Sequence, residues 1–468
     1  MEDDQEPVRI EDISRRKFLK WGVAAGVTGA AAGMGLLSAL GYVRGPAEPT
    51  PEWEVEPGIV DYAVVPQGVS GPTPNVLKVA QWYDYWPGEF LIAFKEKMLR
   101  DHGLDVRIQW DIYTSNEELF HLLTLSKRRY DLIFPSNYLV DLMKKANMIY
   151  TLNPAWLPNI TGGSGDKFTN MFPDLVEVPK DNPYDRRQDS TGRWHWVSAP
   201  YFWGTTGIGF RTDRIPYAEA KELGYDLMWI PSYTPKTPGF ATVDLRKKMR
   251  MLDDMRDVIG AGFKKAGWEV QRDQGQTPTG LYLPEGPQWT TNETAPERLL
   301  AARQWLVRQK PLLFGYNSTD QAVSLYNESA IVNQAWSGDM MYAIRPDQSG
   351  QPNVDYIIPP QGSTWWVDCV AIHSKSRNLW LAHKFIDFIH DVTQNNLLTQ
   401  WNLYSTPNIP CFEQLRPFDN GYDMKTDPRL YPNEQAPEDF RICDFSQDVG
   451  LQNLLKLYNP LWFDLATV

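Results

Sequence analysis

Over residues 76–134 the chain switches repeatedly between the two periods of regular structure, and this alternation most restricts what it can fold into. Residues 76–80 form a short apolar run of strand type. Pro87 then opens a helical stretch in which Phe90, Leu91, Phe94 and Met98 share one stripe, and Gly103 ends it. Leu104, Val106 and Ile108 alternate as in a second strand. Ser115-Asn116-Glu117-Glu118 is a capping box that launches a helix with Leu119, Leu122 and Leu123 on one face, leaving Glu117 on a solvated first turn. Residues 130–134 form a third strand. Strands joined this briefly through helices run parallel, because a parallel pair needs a crossover, so the pattern specifies a doubly wound α/β sheet.

In such sheets ligands bind beyond the carboxyl ends of the strands. Trp82-Tyr83-Asp84-Tyr85 follows the first strand and Ser136-Asn137-Tyr138 the third, which brings rings, hydroxyls and a carboxylate to one rim. Ser136 fits a helix N-cap equally well. Further on, strands are expected at 204–210, 248–253, 331–336, 356–359 and 365–372. Helices are expected at 255–265, ending near Gly267, and at 296–310 and 379–389, with a short one after Trp336 around Asp339. Polar stretches at 161–193, 213–245 and 270–293 look like surface excursions, and the Pro-, Gly- and Glu-rich stretch 45–74 reads as a linker. A chain of 468 residues suits two domains better than one.

Apolar residues at 42% and charged residues at 22% are globular proportions. The six acidic and six basic side chains of residues 1–44 cancel, so the net charge of −12 belongs to the remainder. A field of that sign repels nucleic-acid phosphates and anionic lipid and favours the approach of cations. Three cysteines rule out a disulfide-dense scaffold and a four-cysteine metal site. One disulfide at most is expected, with Cys411 and Cys443 the favoured pair because Cys369 sits in an apolar strand. The six histidines are scattered, and no metal or other cofactor is expected. Ser14-Arg15-Arg16-Lys17-Phe18-Leu19-Lys20, followed by the uncharged, Gly/Ala-rich stretch 21–43, resembles a twin-arginine export signal with Arg15 and Arg16 as the address. That stretch is also long enough to remain as an anchor. The expected location is periplasmic or on the outer face of the cytoplasmic membrane.

No Walker loop, H-E-x-x-H, G-x-S-x-G or Rossmann glycine fingerprint is present, so no catalytic residue is assigned. Acidic residues recur instead at strand ends: Asp84, Asp254, Asp257, Asp339 and Asp368. Asp254 fits an N-cap, and Asp257 and Asp339 fit the positive end of a helix. Yet Trp82, Trp336 and Trp366 each lie two or three residues from one of these carboxylates. Carboxylates beside aromatic faces suit an organic ammonium ion, whose charge they pair while the rings cover its methylenes.

The ordered motifs Gln81-Trp82-Tyr83-Asp84-Tyr85, Tyr113-Thr114-Ser115-Asn116-Glu117, Pro135-Ser136-Asn137-Tyr138, Pro200-Tyr201-Phe202-Trp203-Gly204-Thr205-Thr206, Leu252-Asp253-Asp254-Met255-Arg256-Asp257, Trp336-Ser337-Gly338-Asp339, Trp365-Trp366-Val367-Asp368 and Tyr404-Ser405-Thr406-Pro407 resemble the bacterial spermidine/putrescine-binding proteins. The resemblance runs from about residue 75 onward. It implies a two-lobed periplasmic-binding-protein fold of type II, lobes 75–200 plus 362–412 and 203–359 plus 415–468, closing about a hinge. It also implies a monomeric receptor that hands a polyamine to an ABC transporter permease.

On the same resemblance Trp82, Tyr83 and Asp84 hold one ligand end, Ser136 and Tyr138 line the first lobe, and Asp257 opposes them. Trp336, Asp339, Trp366, Asp368 and Tyr404 complete an aromatic box, with Asp368 the principal ammonium partner. Asp339, in its W-x-G-D setting, is similar to putrescine-preferring members. Tyr83 stands where Ser or Thr is usual, Asp257 where Glu is common, and Cys369 where Asn or Ser is typical. The alternatives are a receptor for another amine, an amino acid or a metal ion, or an exported glycan hydrolase working through paired carboxylates.

Overall fold

In the computed structural model the described residues are 50–69, 74–124, 128–177, 183–273, 289–345, 353–431, 443–445 and 451–467. The expected export signal, with Arg15 and Arg16, lies outside them. Everything below belongs to the unit Pro51–Leu465.

The alternation at the start of the sheet is realised as β1 (Val76–Trp82), α1 (Gly88–His102), β2 (Arg107–Tyr113), α2 (Asn116–Thr124), β3 (Leu132–Ile133) and α3 (Asn137–Lys145). β1 pairs in parallel with β2 on one side and β3 on the other, and its Leu77, Val79 and Ala80 are fully buried. The stripe Phe90, Leu91, Phe94 and Met98 of α1 packs inward. β2 begins later than its alternation suggests, because the Leu104 N–H closes the end of α1 onto the Met98 carbonyl. At the start of α2 the Ser115 hydroxyl accepts from the Glu118 N–H at 3.2 Å, and the Glu118 carboxylate accepts from Thr114 N–H at 2.8 Å, so the box closes one residue early.

The later elements are β4 (Ala199–Arg211), β5 (Met249–Met251), α4 (Met255–Asp273), α5 (Pro296–Gln309), β6 (Leu313–Tyr316), α6 (Gln321–Tyr326), β7 (Val332–Trp336), α7 (Ser337–Ile344), β8 (Val354–Ile357), β9 (Ser363–Ile372), α8 (Leu379–Ile389), α9 (Val392–Asn402) and β10 (Cys443–Phe445). The strand order is β6-β5-β7-β4-β9-β3-β1-β2, with β8 also on β4 and β10 also on β9. The two lobes therefore share one continuous sheet. β4 and β9 run antiparallel from Thr364 opposite Thr206 to Val370 opposite Ala199, with a bulge between Asp368 and Cys369. One end of β4 continues into β7 and β8, while the far end of β9 pairs with β3. These two strands are the connection between the halves.

Several expectations need correction. α4 runs past Gly267 to Asp273, because that glycine serves packing and not termination: a Cβ there would stand 2.6 Å from Trp289 Cγ. The stretch 213–245 is not a surface excursion, since Leu227, Met228 and Leu245 are fully buried and Asp226 pairs with Lys265 and Arg272, each at 2.6 Å. Residues 161–193 likewise bury Phe168, Met171, Leu175 and Tyr184. Most of 270–293 lies outside the described residues. The expected linker carries a hairpin, Glu54–Glu56 against Ile59–Val60, that docks by a 3.0 Å bond from Val60 N–H to Thr151 Oγ1. Cys411 is a buried free thiol, against the expected disulfide.

Candidate ligand-binding site

Where β4 and β9 cross, the carboxyl ends of β1, β3 and β7 surround a pocket of about 680 Å³, part of it open to solvent. Asp368 sits at the bulge of β9 and is 2% exposed. Its Oδ1 accepts from the Ser136 hydroxyl at 2.6 Å and its Oδ2 from the Tyr85 hydroxyl at 2.8 Å. Asn116 donates in turn to Ser136 Oγ at 3.0 Å and accepts from its N–H at 2.9 Å. Ser136 does occupy the N-cap position of α3, yet its side chain makes no capping bond and turns to Asp368 instead. Burial pushes the Asp368 carboxyl up to about 7, against the opposing effect of those two hydroxyls.

Asp257 lies in the first turn of α4, whose start is capped by the Asp254 carboxylate accepting from Asp257 N–H at 3.0 Å. The Asp257 side chain accepts from Trp336 Nε1 at 2.8 Å and from Thr206 Oγ1 at 3.1 Å. Thr206 also receives Trp366 Nε1 at 3.2 Å, so one β4 hydroxyl fixes two walls of the pocket. Burial first, and then the Asp254 charge, raise Asp257 to about 7. Asp339, in α7, accepts from the Tyr404 hydroxyl at 2.6 Å. The ring of Tyr404 lies against Gly338, where a Cβ would come within 2.5 Å of Cδ1, and stacks on Tyr85 with centroids 5.5 Å apart. Trp82 and Trp336 meet edge to face at 6.3 Å.

The structure thus brings Trp82, Tyr83, Ser136, Tyr138, Asp257, Trp336, Asp339, Trp366, Asp368 and Tyr404 to one pocket wall. Asp84 is not among them. Its backbone is left-handed, φ 57°, and its carbonyl accepts from Trp401 Nε1 at 3.1 Å. That turn swings Tyr85 inward to Asp368, a reversal that strand alternation does not foretell and that Asp tolerates better than most residues. Glu117 is also corrected: it is half-buried and not solvated, with one carboxylate oxygen enclosed and without a hydrogen-bond partner. Burial and the nearby Asp254 raise it to about 8. Sequence reasoning also missed the Arg256 guanidinium on the wall, although the residue stands inside a motif quoted above. Among the described residues no cluster of His, Cys, Asp and Glu is disposed to hold a metal ion, and no helix is long and apolar enough to cross a membrane.

Residues 93–428 match the family model described as bacterial extracellular solute-binding protein, which is well over half of the chain. The chain belongs to that family. This extracellular solute-binding protein is 25% identical over 377 residues to the spermidine/putrescine-binding periplasmic protein of Escherichia coli, covering 80% of this chain and 88% of the other. It is also 25% identical over 373 residues to the putrescine-binding periplasmic protein SpuD of Pseudomonas aeruginosa, covering 77% and 85%. Among solved structures it resembles the spermidine/putrescine ABC transporter substrate-binding protein PotD of Streptococcus pneumoniae, with a TM-score of 0.57, 20% identity, and 84% and 98% of the two chains covered. The Tp0655 (TpPotD) lipoprotein of Treponema pallidum gives 0.56, 22%, 83% and 99%. These likenesses support the two-lobed α/β fold expected from the sequence. The solute-binding protein works outside the cytoplasm, as its family does.

Proposed function

We propose that this solute-binding protein captures a polyamine, putrescine or spermidine, and delivers it to an ABC transporter permease, without catalysing a reaction. The observation that carries the reading is a pair of buried carboxylates, Asp368 and Asp257, furnished with hydrogen-bond donors and enclosed by Trp and Tyr rings. Neither forms an ion pair with a cationic side chain among the described residues. Buried carboxylates in that condition await a cation from outside. The rings suit the methylenes of a diamine and add roughly 0.5–2 kcal/mol each through cation–π attraction. The names of the relatives point to the same ligand class.

In this reading Ser136 and Tyr85 hold Asp368 at one ammonium site. Trp336 and Thr206 hold Asp257 facing the other half of the ligand, and Trp82, Tyr83, Tyr138, Trp366, Asp339 and Tyr404 line the remainder. The lobes divide near residues 200–203 at the start of β4, 359–362 just ahead of β9, and 412–415 beyond α9. The protein acts as a monomer, exported through its Arg15-Arg16 signal and held at the membrane if the N-terminal segment stays in place.

The test is thermal melting against putrescine, cadaverine, spermidine, spermine, betaine and glutamate. A ligand of the folded state stabilises by about 2.7 kcal/mol at a hundredfold excess over Kd, so a saturable rise with a di- or triamine is expected. A rise with betaine or glutamate alone would overturn the polyamine assignment.

A further inference from the structure

A pocket for cations contains a cation of its own. Arg256, in the first turn of α4, is 3% exposed, and its guanidinium carbon lies 4.4 Å from the centroid of the Tyr138 ring in α3. α3 follows β3 in one half of the sheet, whereas α4 follows β5 in the other. The contact therefore spans the cleft between the lobes. On its own side Arg256 donates to the Asn292 side chain, which orients the guanidinium.

Two readings of this arrangement predict opposite signs. As a charge alone, Arg256 repels the ammonium groups that the pocket admits, and removing it tightens binding. As a contact between lobes, it favours the closed arrangement, and removing it weakens binding by shifting the protein toward open forms. The geometry favours the second. A guanidinium lying over a ring and desolvated is the strong form of cation–π contact, and here it joins the two halves.

We propose that Arg256 is a positioning residue that clasps the lobes: lying over the Tyr138 ring from the opposite half, it stabilises closure whether or not ligand is present. The clasp goes beyond the ligand assignment, and its first readout does not depend on that assignment.

The experiment compares the full chain with Arg256→Met, which keeps the length of the stem, and with Arg256→Lys, which keeps the charge and loses the planar fork. Small-angle X-ray scattering without ligand should give a larger radius of gyration for Arg256→Met than for the wild type, with Arg256→Lys between them. Stopped-flow release of putrescine should be about tenfold faster in Arg256→Met, with little change in association rate. An unchanged radius of gyration overturns the clasp, as does tighter putrescine binding by Arg256→Met. If Arg256→Met shows no cooperative melt, Tyr138→Leu, which removes the ring under the guanidinium, decides by the scattering measurement, with a larger radius of gyration supporting the clasp and an unchanged one overturning it. Failure of the wild type to respond to any polyamine would defeat the ligand assignment and leave the scattering result to decide the clasp on its own.

Discussion

Ser136 donates its hydroxyl to Asp368 Oδ1 at 2.6 Å, linking the end of β3 to the bulge in β9 across 232 residues of sequence. With Tyr85 on the other oxygen, Asp368 has hydroxyl partners on both sides, yet its carboxyl is still raised to about 7. Two neutral donors do not replace the solvation of a buried carboxylate, and in the proposed function an ammonium ion supplies what is missing.

Asp368→Asn should therefore weaken putrescine and spermidine binding by about 30-fold or more, since removing one partner of a desolvated charge pair costs roughly 2–5 kcal/mol. Glu222 is the matched control, because its carboxylate is 62% exposed in a surface pair with Lys236. Glu222→Gln should change affinity less than about twofold. Calorimetric titration of both variants checks this, and equal small losses would remove Asp368 from the site.

Binding should strengthen from pH 6 to pH 8. Asp368 and Asp257 are raised to about 7, so protons occupy these pocket carboxyls near neutrality and must leave when an ammonium arrives; Glu117, outside the pocket lining, is raised to about 8. The stability of the unliganded protein runs the other way. These groups hold protons in the folded state at pH values where the unfolded chain has released them. Their contribution is therefore complete below about pH 4 and is lost as pH rises toward 7–8. Melting curves with and without putrescine at half-unit steps should show a ligand-induced shift that grows with pH. A shift independent of pH would contradict the protonated pocket.

Gly338→Ala should lower affinity about tenfold while changing the melting temperature little. The added methyl meets the Tyr404 ring and displaces the hydroxyl that Asp339 receives, whereas the alanine gains about 1 kcal/mol in helix propensity that offsets part of the clash. Titration and melting of the same preparation separate the two effects. A fall in melting temperature at unchanged affinity would mean that Tyr404 does not touch ligand.

On the proposed export route, replacing Arg15 and Arg16 together by Lys should leave the protein in the cytoplasm, because the paired arginines of a twin-arginine signal act as a receptor-read address. Fractionation of cells followed by immunoblotting reads the outcome, and unchanged export would assign the segment to another route.

Periodicity made the order of β1, α1, β2, α2 and β3 legible, since each element buries one face and the sequence displays that face directly. Residue type and strand-end position sufficed to pick out Trp82, Asp257 and Asp368, which the fold brings to one pocket. The sequence was misread where a single backbone angle or a distant neighbour decides. The left-handed turn at Asp84 exchanges the roles of Asp84 and Tyr85. Glu117 has the sequence context of a solvated helix start, and only the approach of the second half, carrying Asp254, encloses it. Gly267 resembles a helix stop until Trp289 is seen against it. The stretches read as excursions are polar on average, yet their few apolar residues are the ones that pack.

The pairing of Ala371 in β9 with Ile133 in β3 also sets a timetable for the newborn chain. The outer edge of β3 stays uncovered until β9 has been made, about 240 residues later. At roughly 5–20 residues per second that interval lasts on the order of ten to fifty seconds. The edge that waits is only Leu132–Ile133, and so short a strand offers a neighbouring chain on the same message little to pair with, so the first half of the chain can wait on the ribosome for its closing strand.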